Sequence, residues 1–135
     1  MTVVYADELR SGLASIVGDL IEQNLNRDPP RRRLLRPAIV TIVAHDADVS
    51  ITVITGPGQV DIADGTARRA HVAIATDTSR LLKLTAAPLR FGLPDVFDPR
   101  GRAVLADIAA RRVRIRGLVR HPRRVARISA LLSVG

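Results

Sequence analysis

The stretch VAIATDTSRLL, residues 72–82, contains the change of structure that decides the fold. Its first half alternates β-branched and small side chains, which is typical of a strand. Thr76 and Asp77 can cap a helix N-terminus, and leucines then follow at positions 81, 82 and 84 until Pro88 ends the helix. A strand therefore leads through a polar cap into a short leucine-rich helix.

The chain before this strand is predicted to begin with one amphipathic helix. Apolar residues recur at helical spacing from Tyr5 to Leu25, and most charged residues lie off that stripe. Pro29 and Pro30 end the helix, so we expect the arginines at 31, 32, 33 and 36 in a solvated connector.

Three further strands are predicted between this helix and residue 72. Residues 38–44 and 49–55 are β-branched runs separated by the turn-forming residues 45–48, which predicts an antiparallel hairpin. A second turn is marked by the glycines and proline of residues 56–58, and residues 60–62 then alternate as a half-exposed strand.

The chain after Pro88 is predicted to add two helices and a last strand. Asp98 followed by Pro99 is a helix-start signal. Residues 112–116 alternate strictly, so Val113 and Ile115 should face inward while three arginines face outward. Glycine ends this strand, and Pro122 can open a final amphipathic helix.

This order of elements resembles the sterol carrier protein 2 domain. Residues 72–82 resemble the family's strand that runs through a polar cap into a Leu-rich helix, and RRVRIRG at 111–117 resembles its basic last strand ending in glycine. The resemblance covers nearly all of a single domain, residues 1–135. It implies an α+β fold, with an antiparallel-dominated mixed sheet of about five strands covered by N-terminal, central and C-terminal helices.

The chain departs from the family between the leucine-rich helix and the last strand, where it inserts residues 88–110. The part from Leu89 to Phe97 carries both phenylalanines among glycine and prolines, which predicts a loop or broken helix folded over apolar material. This insertion could enlarge, cover or fill a cavity.

Members of this family bind sterols, fatty acyl chains or isoprenoid lipids between sheet and helices. The resemblance therefore implies an apolar lipid as the partner of this chain, bound without catalysis and carried or transferred in a hydrophobic cavity. The apolar residues expected to line that cavity are Leu81, Leu82, Leu84, Leu89, Phe91, Leu93, Phe97, Leu105, Ile108, Leu118, Val125, Ile128, Leu131 and Leu132. Periodicity alone also fits a filled core for the residues of the last helix.

The net charge of +8 comes from 20 arginines and one lysine against 13 acids, which favours an anionic partner. An anionic membrane surface is the interpretation we prefer, since no aromatic side chain is interleaved with the basic residues of the last strand and helix. The expected docking residues are Arg112, Arg114, Arg116, Arg120, Arg123, Arg124 and Arg127.

Two other functions stay open at this point. The charge also suits a basic nucleic-acid-binding protein. A regulatory or structural subunit with a filled cavity and an unknown protein partner would show the same apolar stripes.

Catalytic and metal signatures are not evident in the sequence. There is no cysteine, which excludes thiolate metal sites and cysteine nucleophiles, and no nucleophile elbow, phosphate loop or zinc motif. His45, Asp46 and Asp48 are interpreted as a turn, and His71 and His121 as surface or capping residues. We expect no enzyme activity, cofactor or metal, and, without a signal peptide or membrane-spanning run, a cytoplasmic location.

Overall fold

A computed structural model describes residues 3–5, 12–67, 69–86, 89–90, 93–94, 96–117 and 119–132. The helices are α1 (Gly12–Arg27), α2 (Thr78–Ala86), α3 (Pro99–Ala109) and α4 (Pro122–Leu132), with a 3₁₀ helix at Pro29–Leu34. The strands are β1 (Val3–Tyr5), β2 (Ala38–Ala44), β3 (Val49–Gly56), β4 (Gln59–Asp64), β5 (Val72–Thr76), β6 (Leu89–Arg90), β7 (Leu93–Pro94) and β8 (Arg114–Arg116).

Six of these strands form one mixed sheet in the order β1-β4-β3-β2-β5-β8. The pairs β2–β3, β3–β4 and β5–β8 are antiparallel, whereas β1–β4 and β2–β5 are parallel. The predicted α+β class and the antiparallel-dominated mixed sheet are confirmed, and the sheet has one strand more than the five expected.

The additional strand is β1, which corrects the prediction that the first helix starts at Tyr5. Among the described residues that helix begins at Gly12. The backbone N–H of Val3 donates to Glu22 Oε2 of α1 at 3.0 Å. Tyr5 occupies the space beside Gly18, where an added Cβ would lie 2.1 Å from the tyrosine oxygen. Three residues are too few to distinguish the alternation of a strand from the first turn of a helical pattern.

The core is aliphatic, as the composition predicts, and lies between the sheet and the helices α1 and α4. Alternate residues of each central strand face it, so Val40 and Ile42 of β2 are fully buried. From α1, Ile21 and Leu25 are likewise fully buried. Each such side chain contributes about 1.5–3 kcal/mol to folding.

The opposite face of the sheet carries small and polar residues together with apolar ones such as Val43 and Ile54. Thr41 of β2 pairs with Thr52 of β3 across the sheet, and Thr52 Oγ1 donates to the Gly65 carbonyl at 2.8 Å. The loop containing Ala67 covers part of this face, since its backbone N–H approaches Thr41 Oγ1 at 3.4 Å. We call this side, away from α1 and α4, the open face.

The described part of the insertion contains two short strands and helix α3. Strands β6 and β7 pair as an antiparallel ribbon, so the prediction of a loop or broken helix for residues 89–97 is wrong for the ribbon residues. Helix α3 begins where the sequence predicts, because Asp98 caps it by accepting a hydrogen bond from the Arg100 N–H at 2.8 Å. Its Val104 is buried, and α3 packs against α2.

The last strand is shorter than the predicted range of 112–116, since β8 contains only Arg114–Arg116. Val113 is nevertheless buried and Ile115 packs against the core, as the alternation predicts. Thr76 Oγ1 donates to the Arg112 carbonyl at 3.0 Å, so this side chain binds the residues that precede β8.

Candidate functional site

The closing helix α4 separates a basic surface from the apolar core. Its residues Val125, Ile128, Leu131 and Leu132 are at most 6% exposed and belong to the same core cluster as the sheet. The helix also packs against α1 and the 3₁₀ helix. The predicted apolar stripe is therefore confirmed as a buried face.

The C-terminal end of α4 is held by two hydrogen bonds. Asn24 Nδ2 donates to the Leu131 carbonyl at 2.8 Å, and this amide is buried. Arg31 Nη1 donates to the Ala130 carbonyl at 3.2 Å. Carbonyls in the last turn of a helix have no partner within the helix, so side chains from α1 and the 3₁₀ helix satisfy two of them.

A narrow cleft of about 10 Å³ remains between α4, the 3₁₀ helix and the sheet. Its lining residues are Leu34, Ala38, Val40, Thr55, Arg124, Arg127, Ile128 and Leu131. Ligand pockets usually measure hundreds of Å³. The interface is therefore closed here, and a lipid tail could enter this cleft only if α4 moved outward.

The structure does not bring all the predicted apolar residues together. Leu81 is buried in the core cluster, Leu105 and Ile108 of α3 are half-buried, and Leu82 and Phe97 are 53% and 74% exposed. Leu84, Leu89 and Leu93 lie in α2, β6 and β7, but their side chains are outside the described part of the structure, as are the whole of Phe91 and Leu118.

A pocket of about 350 Å³ lies along the first turns of α4. Five of its six lining residues are arginine or histidine, and we call it the basic pocket: Arg120, His121, Pro122, Arg123, Arg124 and Arg127. The structure thus gathers four of the seven predicted docking arginines. Arg124 Nη1 lies 2.9 Å from His121 Nδ1.

Arg127 is a partly buried arginine of the basic pocket. Its Nε is buried and has no hydrogen-bond partner among the described residues. Burial lowers the pKa of this guanidinium, and the neighbouring charges of Arg124, Arg36 and Arg123 lower it further. All three neighbours carry the same charge as Arg127, so an anion bound here would relieve their repulsion.

The three arginines predicted on the last strand differ in their surroundings. Arg112 Nε donates to Asp107 Oδ1 at 2.7 Å and is paired with that carboxylate. Arg114 lies on the open face beside Ala75, in a pocket of about 370 Å³. Arg116 borders this pocket and a second one at the sheet edge. Arg112 is therefore paired with a carboxylate, whereas Arg114 and Arg116 line the same pocket on the open face.

The second pocket, about 580 Å³, is lined by the histidines at positions 71 and 121 together with Arg116, Arg120 and neighbouring residues. The two imidazole rings meet edge to face with centroids 5.3 Å apart. His71 Nδ1 accepts from the Ile39 N–H at 3.0 Å. Burial lowers the pKa of His71, and the charges of Arg124 and His121 lower it further.

The turn between β2 and β3 has a structural role. Asp46 Oδ1 accepts from the N–H and the hydroxyl of Thr78, both at 2.9 Å, and so binds the start of α2. These two hydrogen bonds lower the pKa of Asp46. Nowhere in the described ranges do three or more His, Asp or Glu side chains gather as metal ligands would. No described helix has the length and hydropathy needed to cross a bilayer.

Several lining residues were not predicted from the sequence. Leu34 belongs to the segment interpreted as a solvated connector, and Ala38 and Val40 were assigned to a strand without a place in a cleft. Arg36, whose charge acts on Arg127, lies in the same connector. A short 3₁₀ helix between prolines has no periodic pattern that could have indicated this position.

No protein-family model matches the chain, and no curated protein matches it. The structure is similar to a solved structure named UbiJ-SCP2 ubiquinone synthesis protein, with a TM-score of 0.62 and 19% sequence identity over 89% of this chain and 92% of that chain. A solution structure from Thermus thermophilus, of a conserved hypothetical protein suggested to be a sterol carrier protein, gives a TM-score of 0.44 at 11% identity over 98% of this chain and 94% of that chain. The first similarity confirms the predicted sterol carrier protein 2-like fold.

Proposed function

We propose that this protein binds an apolar lipid between its sheet and α4 and carries it without chemical change. The cargo is a sterol, a fatty acyl chain or an isoprenoid. The observation that carries the proposal is the aliphatic interface of α4, which reaches the protein surface through the cleft beside Arg124 and Arg127. The name of the similar structure, a ubiquinone synthesis protein, supports including an isoprenoid quinone among the lipids to be tested.

The closed cleft determines how binding would occur. Protein interiors are as densely packed as organic crystals, so a tail enters by replacing contacts instead of filling a void. Ile128 and Leu131 would exchange contacts with Val40 for contacts with the lipid. Burying about ten methylenes at about 0.8 kcal/mol each gives on the order of 8 kcal/mol before ordering costs.

One observation favours a second function. The cleft is nearly filled, which also fits a structural or regulatory subunit that binds a protein partner and no lipid. The two functions predict different molecules in the purified protein, namely an apolar small molecule or a stoichiometric second chain.

Native mass spectrometry followed by organic extraction tests lipid binding on the protein as purified. We expect one apolar molecule per chain. Delipidated protein is then titrated with a fluorescent sterol, a fluorescent acyl chain and an isoprenoid quinone, and saturable binding of at least one is the expected result. Saturable binding of none of them would contradict the proposal.

A matched pair of variants locates the binding. Ala38→Leu adds volume inside the cleft, whereas Ala75→Leu adds the same volume on the open face of the same sheet. We expect Ala38→Leu to weaken lipid binding at least tenfold and Ala75→Leu to leave it unchanged. Circular dichroism and urea unfolding establish that both variants fold, since overpacking a core costs about 1–3 kcal/mol.

A further inference from the structure

Among the described residues, no carboxylate forms an ion pair with an arginine of the basic pocket. The described carboxylates that form ion pairs with arginine, at positions 28, 77, 98 and 107, pair with arginines elsewhere. Among the described residues none of them pairs with Arg123, Arg124 or Arg127. Because like charges held together raise the free energy of the fold, this arrangement is costly unless an anion is bound.

Arg127 adds a second, independent observation. Its Nε is buried without an acceptor among the described residues, and a buried donor left unpaired costs about 1–3 kcal/mol. Arg127 also lines the basic pocket, so an acceptor bound there would lie next to this residue. Arginine presents donors in a planar fork that matches the oxygens of a phosphate or carboxylate.

The basic pocket and the apolar cleft share two residues. Arg124 and Arg127 line both, and on the other side of them the cleft continues to Ile128, Leu131 and Val40. Once α4 moves outward to open the cleft, a charged group and a hydrocarbon tail of one molecule could occupy the two spaces together. Such a site would bind amphiphiles with an anionic head more tightly than fully apolar molecules.

We infer that the basic pocket holds the phosphate of an anionic lipid whose tail enters the cleft beneath α4, with Arg124 and Arg127 at the junction of head and tail. The inference rests on the proposed function, since it assigns a head group to the cargo. The head group assigned is a phosphate, whose oxygens match the donors of the two arginines, and it is joined to a hydrocarbon chain. Inorganic phosphate has the same charge but no tail.

Isothermal titration of delipidated protein with three probes tests the inference. The probes are hexadecyl phosphate, hexadecanol and inorganic phosphate, used below their aggregation concentrations. We expect hexadecyl phosphate to bind at least tenfold more tightly than either of the other two. Increasing salt should reduce that advantage, because ionic contacts are screened.

Two variants and a control assign the effect to the pocket. Arg127→Gln and Arg124→Gln each remove one charge from it, whereas Arg100→Gln removes one exposed charge from α3 that lines neither space. We expect the first two variants to bind hexadecyl phosphate at least tenfold more weakly and to lose its advantage over hexadecanol. Arg100→Gln should leave both affinities unchanged.

The other outcomes contradict the inference in distinguishable ways. Equal binding of hexadecyl phosphate and hexadecanol, unaffected by the arginine variants, would overturn the head-group site and leave lipid binding intact. Inorganic phosphate binding as tightly as hexadecyl phosphate would show an anion site without a tail. Failure of both hexadecyl compounds, together with failure of the sterol and quinone, would overturn the proposed function as well.

Discussion

Asn24 donates a hydrogen bond from its side-chain amide to the carbonyl oxygen of Leu131 across a distance of 2.8 Å. Asn24 is 2% exposed, and the two residues are 107 positions apart in the chain. This bond joins α1 to the last turn of α4. It therefore resists the outward movement that the proposed lipid binding requires of the C-terminal end of α4.

Replacement of Asn24 by alanine is expected to lower the free energy of unfolding by about 1–3 kcal/mol, because the buried Leu131 carbonyl loses its donor. Urea unfolding followed by circular dichroism measures this change. Asn26→Ala, on an exposed position of the same helix, serves as the control and should change stability by less than about 0.5 kcal/mol. Equal effects of the two substitutions would show that the bond to α4 contributes nothing.

Gly117→Ala is expected to destabilise the protein by at least about 2 kcal/mol. Gly117 has a φ of +93°, and an added Cβ would lie 2.2 Å from the His71 carbonyl oxygen. The strain and the clash both act where β8 meets β5. Gly12→Ala, at a glycine with no atom within 4 Å of the added Cβ, should be neutral in the same thermal unfolding measurement. A Tm for Gly117→Ala equal to that of the unmodified protein would contradict the close approach.

Stability is expected to fall below about pH 6.5 through His71. The pKa of this imidazole is lowered in the fold, first by burial and then by the charges of Arg124 and His121. The unfolded chain, with an ordinary histidine pKa near 6.5, therefore takes up a proton before the folded chain does. The stabilisation that neutral His71 provides is complete above about pH 6.5. It is lost as the pH falls through the lower pKa of His71 in the folded protein, because protonated Nδ1 can no longer accept from the Ile39 N–H.

Urea midpoints measured between pH 5 and pH 8 test this dependence. His71→Ala should reduce the slope of stability against pH below 6.5, whereas His45→Ala, on an exposed turn, should keep it. A slope that is the same in the unmodified protein and in His71→Ala would exclude His71 as its cause.

Most of the fold could be predicted because its main elements have strong local signals. The β-branched runs of β2 and β3, the cap and proline at Asp98, and the alternation around Ile115 each occur in the structure near the predicted positions. These patterns are strong because one face of each element is buried. The apolar residues therefore recur with the period of the helix or strand. Strand β1 was missed because three residues contain too little of any period.

The candidate site was predictable only in part. The stripe and the arginines of α4 follow from helical spacing. Arg36, however, lies in the connector after α1, far from α4 in the sequence, and its charge lowers the pKa of Arg127. Likewise, Leu82 lies in a leucine-rich helix, yet its side chain is exposed. Which residues of different elements meet depends on tertiary packing, which local patterns do not contain.

The most direct test of lipid binding under α4 uses whichever of the sterol, the acyl chain and the isoprenoid quinone binds most tightly. It measures nuclear Overhauser contacts between that lipid and the methyl groups of the protein. If the lipid lies between sheet and helix, its chain will contact the methyl groups of Ile128 and Leu131 on α4 and of Val40 on β2 in the same complex. Contacts confined to the open face or to exposed positions such as Leu82, with those three methyl groups unaffected, would contradict the account.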